Sequence, residues 1–403
     1  MSDDLRERIA ALPGMDRLLP ALEGLPPAYL VGGAVRDLLG GTASVDLDLA
    51  VEGDSQRAAQ RIAERLGGTA VLHDRFGTAT VKADDLSVDL ATTRRETYPH
   101  PGALPDVEPA TLAEDLRRRD FTINAMAIGL SGDDLGGLHD PHGGRQDLQA
   151  GVVRILHPQS FVDDPTRLLR AVRYEVRLRF HVDPETERLA REGDLGTVSG
   201  PRVRDELMDL LREPEAPAGL ARLAELGIDR TIHPAFRADA DRGASAQLGT
   251  AEVGADRALA ALAALVSAAP DELEPWVEDL HLGRAERDAV MRAARKGPQL
   301  ASMLSPDLPP SAVHALLSCE PPEALAVALA GGAPAEPVLR YVADMRGTRL
   351  EITGDDLLAA GVPESPAIGR ALARTLELKL DGRVSGREEE LRTAVQIARE
   401  AGG

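Results

Sequence analysis

Cysteine occurs once, at Cys319, in a chain of 403 residues. A lone thiol supports neither an internal disulfide framework nor a thiolate zinc cluster, which fits a reducing cytoplasm. Cys319 itself reads as a small buried hydrophobe. Long apolar runs are missing: nowhere do about 18 apolar residues follow one another unbroken. The N-terminal MSDDLRERIA is charged where a secretory leader is apolar. No membrane span and a cytoplasmic location are expected. Positive charge is also short. Lys and Arg number 46 against 66 Asp and Glu, giving a net charge of −20. Such a chain does not hold nucleic acid by overall attraction, so any RNA contact is local and DNA is not expected as a partner. Aromatics make up only 2%, which suits helices packed through Leu and Ala.

The length allows two or three domains. Residues 1–25 read as a short helix. YLVGGAV, VDLDLAV, GGTAVLH, GTATVKA and LSVDLAT are brief β-type runs punctuated by Gly and Asp, with Ser55 to Gly67 an amphipathic helix among them. From about Asp163 helical periods take over and continue to the end. The expected fold class is therefore α+β: an α/β head over 1–150, a helical neck over 151–215, and a helical body and tail over 216–403. Stretches near Pro214 to Pro217, Arg237 to Gly249 and Ser305 to Pro310 are candidate linkers.

The richest segment runs from Leu30 to Asp54, LVGGAVRDLLGGTASVDLDLAVEGD. Gly32 and Gly33 permit close backbone approach and leave N–H groups for an anion, and Arg36 adds a permanent charge beside Asp37. Asp46 and Asp48 are two apart, so in an extended strand both carboxylates emerge on one face and can grip the same hard cations. Magnesium with a nucleoside triphosphate is the natural occupant. A lone Asp-x-Asp is more often the acidic end of a strand; the glycine pair and Arg36 alter that balance. Asp89 in LSVDLAT supplies a third acid. Three acids around two magnesium ions are the arrangement of nucleotidyl transfer.

Arg118, Arg119 and Asp120 precede Asn124 in LRRRDFTINAMAIGL. The arginines suit a triphosphate; Asp120 and Asn124, four apart, suit ribose hydroxyls or the orienting of an arginine. A basic helix entry capped by Asp is the plain alternative. His139 and His142 flank Asp140 without a third ligand at sensible spacing, and read as solvated turn histidines. The glycine turn around them leads into a strand and reads first as a hinge. In DDPTRLLRAVRYEVRLRF, Leu169, Val172 and Val176 form an apolar stripe, while Arg167, Arg170, Arg173 and Arg177 recur on another face that is equally readable as solvated. Asp164 and Arg167, three apart on one helix face with Pro165 in the first turn, pair an acceptor with a fork of donors. That pair can read the amine-plus-acceptor edge of cytosine or adenine.

Taken together, these segments resemble the class II tRNA nucleotidyltransferases, the bacterial CCA-adding enzymes and their poly(A) polymerase relatives, from about Tyr29 to Leu211. Gly32, Gly33, Arg36, Asp37, Asp46 and Asp48 are similar to the family's metal and triphosphate motif. Arg119, Asp120 and Asn124 resemble its ribose motif, and Asp140 to Arg154 a flexible motif linked to head movement. Asp163, Asp164 and Arg167 resemble the amino-acid template that selects CTP and then ATP. Val198 to Leu211 resembles the last motif, a helix bracing the nucleotide pocket, although Pro201 stands where the family has Glu, so only Arg202 and Glu206 carry over. Ala91 to Val107, with Arg94, Arg95, Glu96, Pro101 and Gly102, resembles the loop that assists the switch from C to A addition.

The resemblance implies a polymerase-β-like head and catalytic Asp46, Asp48 and Asp89, with magnesium on Asp46 and Asp48. It implies nucleotide binding by Gly32, Gly33, Arg36, Arg119, Asp120, Asn124, Asp164, Arg167, Arg170, Arg173 and Arg202. The partners would be tRNA, CTP and ATP, with the C-terminal helices, including Trp276, Lys296 and Lys379, against the tRNA. Full CCA addition leads. A-adding or CC-adding enzymes, a poly(A) polymerase and a non-catalytic RNA-binding protein follow in that order.

Overall fold

The computed structural model describes residues 2–42, 47–73 and 77–400. The fold class is α+β. Among the described residues strands occur only in the first 182, and every element beyond them is a helix. Helices Ser2–Ala10 and Met15–Ala21 replace the single helix expected over 1–25; Gly14, at φ +80°, breaks the chain between them. The strands are β1 (Ala28–Val31), β2 (Leu47–Val51), β3 (Thr69–His73), β4 (Thr78–Ala83), β5 (Leu86–Thr92), β6 (Arg94–Thr97), β7 (Asp106–Pro109), β8 (Ala127–Gly129), β9 (Leu138–His139) and the short parallel pair β10 (Val152–Val153) and β11 (His181–Val182). Seven of them build one sheet in the order β3-β4-β5-β2-β1-β8-β9, while β6 and β7 pair separately.

Only β2 and β5 run parallel in that sheet. The helix Ser55–Leu66 lies on the crossover between them. Its start is set by Asp54, which accepts from the Arg57 amide at 2.9 Å, and its end by Gly67 in the left-handed region. Its Ala58, Ala59, Ile62 and Ala63 pack into a core with Leu47, Leu49, Val81, Val88 and Leu90. Along β2 the alternation leaves Asp48 exposed between buried Leu47 and Leu49.

Contacts divide the chain into two compact units: Met1–Glu206 with Glu213–Glu215 and Arg222–Ile232, and Leu207–Arg212 with Ala216–Ala221 and His233–Gly403. At the centre of the second lies the helix Arg257–Val266, where every residue after Arg257 is buried, as expected of a helix apolar on all sides. The candidate linker over 237–249 holds the helix Ala240–Leu248, because Asp239 caps it on the Arg242 amide. Cys319 is exposed rather than buried, in the turn after the helix Pro310–Leu317. Among the described residues no helix is long and apolar enough to cross a membrane.

Candidate active site

β1 leads through Gly32 into the helix Gly33–Gly40. Gly32 has φ +67°, and a Cβ there would lie 3.2 Å from an Arg119 guanidinium nitrogen, so both the turn and the close approach call for glycine. The helix start opens into a cleft of about 600 Å³. Arg36, Arg94, Arg118, Arg119, Arg167, Arg170 and Arg177 stand in its walls against Asp37, Asp48, Glu96, Asp120 and Asp164. In a chain of net charge −20 this is a local excess of fixed positive charge, suited to a polyphosphate.

Asp48 and Asp89 face each other in register on β2 and β5, and Thr80 faces Asp89 on β4. Directly opposed residues share a sheet face, so the three form one row. Thr80 Oγ1 donates to Asp89 Oδ1 at 2.6 Å. A second cavity of about 490 Å³ lies over this row and is also lined by Arg118 and Arg119. Asp48 borders both cavities. The two carboxylates form a hard oxygen donor set that fits magnesium. Asp46 lies outside the described residues.

Asp120 and Asn124 are joined, Nδ2 to Oδ1 at 3.1 Å, but by a tight 3-10 turn over Thr122–Asn124 rather than an α-helix face. Asp120 takes the orienting role: Arg170 Nη2 donates to its Oδ2 at 2.6 Å. Burial opposes ionisation of Asp120, yet Arg170, Arg167 and the Asn124 hydrogen bond hold its carboxyl at about 2. Arg36 is buried, donating to Asn124 Oδ1 at 2.8 Å and to Asp37 at 2.9 Å.

Asp164 and Arg167 do not share a helix. Asp164 sits at φ −134°, ψ 91°, and the helix Arg167–Leu178 begins only after it. The following proline drives Asp164 out of the helical region. Its Oδ1 accepts from Thr166 and, at 2.7 Å, from Arg202 Nη2, leaving Oδ2 without a partner among the described residues. Arg167 is buried, with Nη1 on Ser160 Oγ and Nη2 on the Arg118 carbonyl. The basic face is thus only partly solvated: Arg167 is buried and Arg170 and Arg173 are half-buried, whereas Arg177 is exposed. Arg173 stands away from the cleft lining, ion-paired to Glu206 at 3.3 Å, and Arg202 also lies outside that lining and reaches it through Asp164.

Asp115 escaped sequence reasoning, and Glu96 and His142 stand in settings the sequence did not show. Asp115, almost fully buried, accepts from Arg118 at 2.8 Å and from Arg119 at 2.9 Å. Burial pushes its carboxyl up, but Arg119 and Arg118 bring it below the ordinary range. Glu114 in a capping box with Thr111 marks that helix start in the sequence. The Ala91 to Val107 segment is largely the β6–β7 hairpin, in which Glu96 holds Arg94, Arg118 and the Tyr98 hydroxyl. Burial and Glu96 push the Tyr98 phenol up. His142 is half-buried rather than fully solvated; its Nε2 is buried without a hydrogen bond, and burial lowers its pKa. The turn beside it leads first into the helix Gly144–Ala150, whose first amides, of Gly144 and Arg145, donate to the Asp140 carboxylate at 2.7 and 3.0 Å.

Residues 28–154 match the family model of the poly A polymerase head domain, and 179–239 that of a probable RNA- and SrmB-binding site of polymerase A. An A-adding tRNA nucleotidyltransferase of Geobacter sulfurreducens is 36% identical over 98% of this chain, which spans 47% of that relative. Two further A-adding relatives, of Aquifex aeolicus and Halalkalibacterium halodurans, are likewise matched over less than half their length. A CC-adding tRNA nucleotidyltransferase of Deinococcus radiodurans is 35% identical, with 91% of this chain and 88% of the relative aligned. The solved Thermotoga maritima CCA-adding enzyme complexed with tRNA superposes with a TM-score of 0.77 at 32% identity, covering 98% of each chain.

Proposed function

The chain belongs to the tRNA nucleotidyltransferases, and from that premise we propose that it adds CMP and AMP, without a nucleic-acid template, to the 3′ end of tRNA in the cytoplasm. The observation that carries this reading is the row of Asp48 and Asp89 at the edge of an arginine-walled cleft that also presents Asp164 and Arg167.

The tRNA 3′-hydroxyl attacks the α-phosphorus of CTP or ATP, a new P–O bond forms, and pyrophosphate leaves with the broken bond's electron pair. Gly32 and the start of the helix Gly33–Gly40 receive the triphosphate, and Arg119 and Arg170 balance its charge. Asp120 orients Arg170 and Asn124 orients Arg36. Asp164 Oδ2 accepts from the exocyclic amine while Arg167 donates to the ring acceptor, a pattern that cytosine and adenine share. Asp46, Asp48 and Asp89 would hold magnesium, which when bound would acidify the attacking hydroxyl and stabilise the pyrophosphate. The helices after Ile232 hold the tRNA.

A second reading, an A-adding or CC-adding specialist, is favoured by the identity to enzymes of both kinds over nearly the whole chain. Purified protein with magnesium is offered tRNA ending at the discriminator base, after one C and after two Cs, with CTP, ATP or both. Completion of CCA on all three is expected. Growth only from the CC end with ATP, or arrest after two Cs, establishes the specialist, and no incorporation overturns nucleotidyl transfer.

A further inference from the structure

Three cationic side chains converge on one ring. The guanidinium carbons of Arg36, Arg170 and Arg173 lie 5.3, 5.5 and 5.6 Å from the centroid of Tyr174. The ring is nine-tenths buried and lines the cleft. It is gripped from another side by Phe121, edge to face at 5.7 Å, and its hydroxyl accepts from Arg170 Nη2 at 3.2 Å. Phe121 is fully buried, so the ring cannot drift.

Arg36 comes from the helix after the glycine turn, whereas Arg170 and Arg173 come from the helix Arg167–Leu178. Like charges held this close repel one another. Asp37 and Asp120 offset part of that repulsion by charge, and the negative face of an aromatic ring offsets a further part. The carboxylates fix individual guanidinium nitrogens; Tyr174 is the surface that arginines from both helices share.

We propose that Tyr174 is a positioning residue that assembles Arg36 and Arg170 into one cation site for the nucleoside triphosphate. It acts through the arginines: they meet the phosphates, and the ring sets where they stand before the nucleotide arrives. Such preorganisation lowers the cost of binding. Because the ring contacts the arginines and not Asp164, its effect is the same for CTP and ATP. The inference rests on the nucleotidyl-transfer reading above for its ligand.

The test removes the hydroxyl first and then varies the electron density of a ring of nearly constant size. Tyr174→Phe and its 4-fluoro, 3,5-difluoro and 3,4,5-trifluoro analogues are made in the full chain, with thermal melting as the control for folding. Kd values for magnesium-ATP and magnesium-CTP are read by calorimetry, and KM and kcat by incorporation into tRNA. Tyr174→Phe is expected within about twofold of the parent, with Kd and KM rising stepwise along the series to about tenfold and kcat changing less. A flat series overturns the proposal. So does a Tyr174→Phe variant already as weak as the trifluoro protein, which would assign the effect to the hydroxyl. If the parent incorporates nothing into tRNA, the functional reading fails, while the calorimetric series still decides the role of Tyr174.

Discussion

Asp48 on β2 and Asp89 on β5 occupy directly opposed positions of two parallel strands, so their carboxylates leave the sheet on the same face although 41 positions of chain separate them. Both side chains are exposed, and neither contributes to the core beneath. Asp48→Asn and Asp89→Asn are each expected to lower kcat by about 1,000-fold or more while leaving the melting temperature within a few degrees. Single-turnover incorporation into tRNA with magnesium measures the first, and thermal melting the second. An Asp89→Asn protein with unchanged kcat would remove Asp89 from the chemistry.

Arg202 reaches Asp164 Oδ1 at 2.7 Å and the Gly102 carbonyl at 2.9 Å, and so determines which carboxylate oxygen remains to meet a base. Arg202→Ala frees the carboxylate to rotate. The preference for CTP and ATP over UTP and GTP, measured as ratios of kcat/KM, is expected to fall about tenfold, with a smaller loss for Arg202→Lys. An unchanged ratio would show that Thr166 alone suffices to orient Asp164.

Asp115 holds two arginines from a buried position, and its loss strands both. Asp115→Ala is expected to cost about 3 kcal/mol of stability by denaturant titration, because removing one partner of a buried ion pair leaves uncompensated charge. Nucleotide KM rises with it, since Arg118 and Arg119 both line the cleft. A variant with unchanged stability would mean that Glu96, which also binds Arg118, carries the pair alone.

The strands and the glycine turn were legible because each depends on near neighbours in sequence: period-two alternation around Asp48, a Gly-Gly pair before an apolar helix, and Asp54 and Gly67 at the ends of the Ser55–Leu66 helix. What was not legible depends on burial and backbone geometry that only the folded chain supplies. Asp115 with Arg118 and Arg119, three and four residues on, reads as an ordinary solvated helix set, and only the fold buries Asp115 and brings Arg118 to Glu96, 22 positions away. The Asp164–Arg167 spacing suggested a helix face, and Pro165 overruled it. Arg173 matched the spacing of the basic face but turned to Glu206, because a twelve-residue helix cannot aim every arginine into one cleft.

The carboxyl of Asp120 lies at about 2 in the folded protein against an ordinary 3.8, so the folded state binds its proton less readily than the unfolded chain. Stability from this group is fully present above about pH 4 and is lost as pH falls towards 2. The shift corresponds to about 2 kcal/mol. Asp115, also held below the ordinary range, acts in the same direction, so the wild-type curve alone does not isolate Asp120. Comparison with Asp120→Asn does. At pH 7 the variant is expected to be less stable by about 2 kcal/mol, and the gap should close between pH 4 and pH 2 because wild-type Asp120 becomes protonated there. Denaturant titrations of both proteins at unit pH intervals measure the gap. A gap that stays constant down to pH 2 would mean that Arg170 is held by Glu206 and Tyr174 without electrostatic help from Asp120.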